Sequence, residues 1–271
     1  MTAPPFPAPF VRSAGSSGPG VVCLHSNASS SSQWRGLLER LAPHYRVQAC
    51  DGLGAGRSPA WPNDREVGLH DEVALIEPVL AAAGERFALV GHSYGGSVAL
   101  KAALTHPQRV AALAVYEPTL FCLLEEESPG SEAANGIRFA AADAAASIDA
   151  SDPDAAAERF IDYWMGAGAW ARTPAERRAP IAASMVNVRG WARALFGEPT
   201  PLQAFRTLDC PVLLMTGAAS PPSGRGVARL LASALPQVQI VAFPSLGHMG
   251  PVTHPEPVNA AIEAFLDRTL R

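Results

Sequence analysis

The chain has 271 residues, 48% of them hydrophobic and 17% charged, with a net charge of −4. That length suits one large α/β domain or two small ones, and the apolar share supports a sizeable core rather than a disordered, solvated chain. The mildly acidic balance, without a basic stripe or a polybasic run, argues against nucleic acid and against a membrane surface as partners.

The opening stretch MTAPPFPAPFVRSAG lacks a basic region followed by a long apolar one, so no signal peptide is expected, and no apolar run approaches bilayer length. A short strand fits near Phe10–Ser13. Gly20–His25 reads as a buried strand, and Gln33–Leu41 as a helix for which Ser29–Ser32 offer N-caps. Tyr45–Cys50 is the next strand, Val67–Ala83 a helix stopped by Gly84, Phe87–Val90 a strand, Tyr94–Thr105 a helix and Val110–Tyr116 a strand. This alternation predicts a mostly parallel sheet with helices on both faces.

The pattern then breaks. Residues 119–205 hold no strand signal but carry Ala-rich helical segments at Glu132–Ala146, Asp154–Met165, Pro174–Val188 and Trp191–Phe196. Three of the five tryptophans, Trp164, Trp170 and Trp191, lie here. Alternation resumes with a strand at Pro211–Met215, a helix at Gly226–Leu235, a strand at Val238–Phe243 and a helix at Pro257–Leu270. The expected organisation is a core of 1–118 and 206–271 interrupted by a helical insertion. Cys23, Cys50, Cys122 and Cys210 sit in or beside apolar runs without C-x-x-C spacing, which predicts buried thiols in a reducing cytoplasm.

Three stretches carry chemistry. FALVGHSYGGSVAL places G-x-S-x-G, Gly91 to Gly95, between a strand and a helix. A serine on so sharp a turn needs small neighbours, and the turn exposes the Ser93 hydroxyl while aiming the Tyr94 N–H into the same space. SLGHMGPVTHPEPVN presents His248 in a loop after the last strand, the position of a general base that follows the nucleophile in chain order. VVCLHSNASSSSQW ends a strand at His25, and the following turn offers the Asn27 N–H as a second oxyanion donor beside Tyr94. His254 suits a helix start and His92 suits packing. No His/Cys cluster has metal-ligand spacing, so neither a metal nor an organic cofactor is expected.

With these pieces together, LHSNASSSSQW, DGLGAGRS, VGHSYGG, VYEP and GHMGPVTHP, the chain resembles the α/β-hydrolase superfamily. The resemblance implies strand order 1-2-4-3-5-6-7-8, here without the first strand, and a cap inserted after the sixth, Val110–Tyr116. It also implies a nucleophile, an acid and a histidine in that order. Asp51 in DGLGAGRS is read as shaping its turn. Two residues depart from the family: Ser26 stands where glycine is usual at the oxyanion turn, and Ser220 stands where the acid usually follows Met215. A serine carries no charge for the imidazole. Glu117 closes the run ALAVY before Pro118 on the neighbouring strand, about 4.8 Å away, and is the acid expected in its place.

The expected function is hydrolysis of a small ester-type carbonyl compound through Ser93, His248 and Glu117. The alternatives are C–C bond cleavage or lyase chemistry on the same residues, and a non-catalytic small-molecule receptor, which Ser26 and Ser220 would favour. The expected partner is a small molecule, and a second copy of the chain is the one macromolecular partner left open.

Overall fold

Side chains alternate across each strand, and that alternation divides the apolar interior in two. On the second strand, Val21 and Cys23 face one layer while Val22 and Leu24 face the other. The computed structural model describes residues 6–62 and 64–271, so the first five residues of the N-terminal stretch lie outside the described residues.

The strands are β1 (Val11–Ala14), β2 (Gly20–Leu24), β3 (Arg46–Cys50), β4 (Phe87–His92), β5 (Val110–Tyr116), β6 (Val212–Gly217) and β7 (Val238–Phe243). They form one sheet in the order β1-β3-β2-β4-β5-β6-β7, with β1 antiparallel to β3 and every other pair parallel. This is the family order without its first strand. One face carries α1 (Arg35–Leu41) and, at the C-terminus, α12 (Pro255–Leu270). The other carries α2 (Leu69–Ala83), α3 (Tyr94–Thr105) and α10 (Pro222–Ala234).

Between β5 and β6 the chain is helical: α4 (Cys122–Glu127), α5 (Glu132–Asp149), α6 (Pro153–Met165), α7 (Ala169–Arg172), α8 (Ala175–Ser184) and α9 (Val188–Phe196). A short α11 (Gly250–Thr253) precedes α12. Two boundaries differ usefully from the sequence pattern. β4 runs on to His92, which brings residue 92 into register with Tyr116. α10 begins four residues early, at Pro222, because proline suits a first helical turn. Among the described residues no helix is long and apolar enough to cross a membrane.

Register places the strand ends level. The Ser93 N–H donates to the Tyr116 carbonyl and the Glu117 N–H to the Met215 carbonyl, each at 3.0 Å. The C-terminal edge of β4, β5 and β6 is thus one rim where side chains from three strand ends can meet.

Candidate active site

Ser93 is the N-cap of α3, at φ 55° and ψ −119°. Holding a non-glycine residue there costs about 1–3 kcal/mol and is tolerated where the surroundings over-determine it. The surroundings are tight: a Cβ on Gly91 would meet the Gly95 carbonyl oxygen at 2.5 Å, and one on Gly95 would meet the Leu24 oxygen at 2.4 Å. The turn sends the Ser93 hydroxyl to His248, whose Nε2 accepts from it at 2.9 Å.

On the other side of the ring, His248 Nδ1–H donates to Glu117 Oε2 at 2.7 Å. Glu117 also has a left-handed backbone, φ 41°, at the end of β5. Its second oxygen, Oε1, accepts from the Gly217 N–H at 2.7 Å. Glu117 is fully buried and His248 is 2% exposed. A buried carboxylate is costly unless paired and hydrogen-bonded, and both of these oxygens are engaged. α10 comes close as well: a Cβ on Gly224 would lie 2.9 Å from Glu117 Oε2 and 3.6 Å from His248 Nδ1.

The loop of His248 is fixed by the residues that precede Ser93 and Glu117. His92 Nε2–H donates to the His248 carbonyl at 2.8 Å, and the Tyr116 hydroxyl donates to the Gly247 carbonyl at 2.8 Å. Burial first, and then the neighbouring His248, hold the His92 imidazole well below its usual range and therefore neutral. Its Nδ1 is then free to accept from Gln33 Nε2–H at 3.1 Å. Gln33 Oε1 in turn accepts from both the N–H and the hydroxyl of Ser26, at 3.1 and 3.0 Å. One chain of bonds thus ties the turn after β2 to the base loop.

That turn is pinned from the other side too. His25 Nδ1–H donates to the Ser26 carbonyl at 2.7 Å, while Nε2 accepts from the Gly52 N–H at 3.0 Å. Burial lowers the His25 pKa, which keeps the ring neutral for these two roles. The left-handed residue of the turn is Ala28, φ 53°, not Ser26, so the missing glycine imposes no backbone strain at position 26. Asn27 and Ser93 line the same small cavity, and Tyr94 begins α3. Asp51 accepts from the Ser31 N–H at 2.6 Å and the Arg57 N–H at 2.9 Å, a role in loop shape. Ser220 is buried, and its hydroxyl has no hydrogen-bond partner among the described residues. His254 is exposed at the start of α12. Among the described residues no group of three or more His, Cys, Asp or Glu is placed to hold a metal ion.

Sequence patterns brought out Ser93, His248 and Glu117, and these three are joined in one line of bonds. They did not bring out Gln33, Tyr116, Gly224 or Trp164, and they gave His92 no role beyond packing. Position alone, directly before Ser93 and Glu117 at the strand ends, was the available signal for His92 and Tyr116. The Trp164 ring lies on His248 with centroids 3.9 Å apart and planes at 25°, a contact between residues 84 positions apart that no local pattern announces.

The family model described as alpha/beta hydrolase fold matches residues 19–255. The chain belongs to the alpha/beta hydrolase fold family. Its curated relatives are named as ester-cleaving enzymes. A pimeloyl-acyl-carrier-protein methyl ester esterase of Edwardsiella ictaluri is 29% identical over 262 residues, covering 95% of this chain and 97% of that one. An esterase of the same name from Yersinia enterocolitica is 28% identical, covering 92% and 93%. Among solved structures, an alpha/beta hydrolase from Sphaerobacter thermophilus superposes with a TM-score of 0.73 at 25% identity, covering 95% of each chain. A thermophilic esterase from Thermogutta terrifontis does so at 0.71 and 25%, covering 97% of this hydrolase and 94% of that chain.

Proposed function

We propose that this hydrolase cleaves a small carboxylic ester through a Ser93–His248–Glu117 triad and an acyl-enzyme. The observation that carries this is the unbroken line from Ser93 Oγ through both nitrogens of His248 to Glu117, at 2.9 and 2.7 Å. In the first half-reaction Ser93 Oγ attacks the ester carbonyl carbon as its proton passes to His248 Nε2. The carbonyl oxygen becomes an oxyanion held by the Tyr94 and Asn27 N–H groups. Glu117 keeps the Nδ1–H tautomer in place and stabilises the imidazolium. Collapse expels the alkoxide, which takes the proton from Nε2 and leaves as the alcohol. Water then repeats the sequence with His248 as base, releasing the acid and restoring Ser93.

The helices of residues 119–205 act in this scheme as a cap over the core of 1–118 and 206–271, and the substrate is a small molecule. The curated relatives are named for a methyl ester, an ester with the smallest alkyl group. The four free thiols, three of them buried, suit a reducing cytoplasm.

The test is turnover of a short p-nitrophenyl ester. Ser93→Ala and His248→Ala should each lower kcat by about 10⁶, the scale seen when a triad member of another serine hydrolase is removed. Folded variants that keep wild-type turnover would refute the scheme. Turnover of a diketone or cyanohydrin in place of the ester would point to carbon–carbon cleavage instead.

A further inference from the structure

The catalytic serine opens onto almost nothing. The cavity it shares with Asn27, Phe121, Phe160, Trp164 and Trp191 is small, about 30 Å³. A second cavity, about 220 Å³, lies beyond, lined by apolar residues such as Ile161, Met165, Met249 and Val252, with Arg172 at its edge. Asn27, Phe160 and Trp164 line both. These shared residues mark where the two cavities adjoin.

Of the three, Trp164 is the one stacked on the His248 ring. Its backbone has little freedom. Asp162, two residues earlier on α6, accepts from the Gly168 and Trp170 N–H groups, both at 2.7 Å. Tyr163 and Ser223 on α10 share a hydroxyl–hydroxyl bond of 2.7 Å. These bonds tether α6 at the two residues just before Trp164, so widening the passage between the cavities is assigned to the Trp164 side chain. The indole also faces the ring that becomes cationic when Ser93 gives up its proton, and its π face attracts that cation.

We propose that Trp164 is the gate of this active site and its size filter: the two cavities are one substrate channel interrupted by the indole, which limits the esters reaching Ser93 to short or slender ones. This rests on the ester-hydrolase scheme above. The experiment compares kcat/KM for p-nitrophenyl acetate and p-nitrophenyl octanoate in wild type, Trp164→Ala and Trp164→Phe, with fluorophosphonate labelling of Ser93 run in parallel. Removing the indole should raise the octanoate-to-acetate ratio at least tenfold, the scale on which pocket size discriminates chains differing by methylenes. Trp164→Phe, which keeps an aromatic ring in the cap should the alanine variant fail to fold, should shift it the same way by less. Labelling of wild type should also change tryptophan emission, and the change should be smaller in Trp164→Phe, which leaves Trp191 in the cavity. If Ser93 is labelled and the ratio does not move in a folded variant, the gate is refuted and the triad stands. If Ser93 is not labelled in wild type, the ester-hydrolase scheme itself fails.

Discussion

The ends of β5 and β6 are neighbours, and they treat a buried polar side chain in opposite ways. At the end of β5, Glu117 carries a full complement of contacts: the Gly217 N–H on one oxygen, the His248 ring on the other, and a left-handed backbone that aims it inward. Past the end of β6, where the family usually keeps its acid, Ser220 is equally buried, but its hydroxyl has no hydrogen-bond partner among the described residues. The difference teaches that, in the proposed scheme, the acid is defined by reach to Nδ1 and not by its strand. Adjacent strands are so close that either end can serve one imidazole, and a chain needs a carboxylate at only one.

Substitutions at the two ends should separate them most. Glu117→Gln keeps the shape but loses the charge, and should lower kcat about 10⁴-fold, the cost of the equivalent change in a protease. Ser220→Ala should leave kcat within about twofold, because it removes a hydroxyl that bonds to neither His248 nor Glu117. Esterase assays on both variants check this, and a large loss at Ser220 would reverse the assignment. Gly224→Ala pushes a methyl against Glu117 Oε2, the oxygen that accepts from His248 Nδ1–H. It should lower kcat by about 10²-fold, the penalty for displacing a catalytic group by roughly 1 Å, with KM less affected.

Gln33→Leu cuts the chain of bonds between Ser26 and His92. It leaves a buried N–H and a ring nitrogen unpaired, so urea melts should show a loss of about 1–3 kcal/mol. A fall in kcat should accompany it, smaller than that of Gly224→Ala. Gln33→Leu with wild-type stability would mean that the chain is dispensable.

The last expected effect lies farther off and concerns stability rather than turnover. Glu72 on α2 is buried with one oxygen accepting from the Leu53 N–H, and burial pushes its pKa up to about 7. The folded state therefore holds this proton to higher pH than the unfolded chain does. Stability is favoured below the usual carboxylate pKa and falls as pH rises toward 7. Glu72→Gln should remove that dependence, becoming more stable relative to wild type by up to about 3 kcal/mol between pH 4.5 and 8. Denaturant melts at the two ends of the window measure it, and a constant difference would contradict the raised pKa.

Much of the site was legible because its backbone requirements are local. The glycines around Ser93 and the proline after Glu117 write the strand ends into the sequence, and the apolar runs of β2, β4 and β5 set the sheet. Gly224 and Trp164 were not legible. Each matters only through contact with His248 or Glu117, which come from distant parts of the chain, and a glycine in a helix or a tryptophan in an Ala-rich segment has many ordinary explanations. The bonds of Gln33 likewise exist only once β4 and the loop after β2 lie side by side.

The most direct measurement of the central claim needs no knowledge of the natural substrate. The rate at which a fluorophosphonate modifies Ser93 reports the nucleophilicity that His248 and its carboxylate confer. Glu117→Gln should slow that modification by orders of magnitude while Ser220→Ala matches wild type. Equal rates in wild type and Glu117→Gln would contradict the assignment of Glu117 as the acid that supports His248.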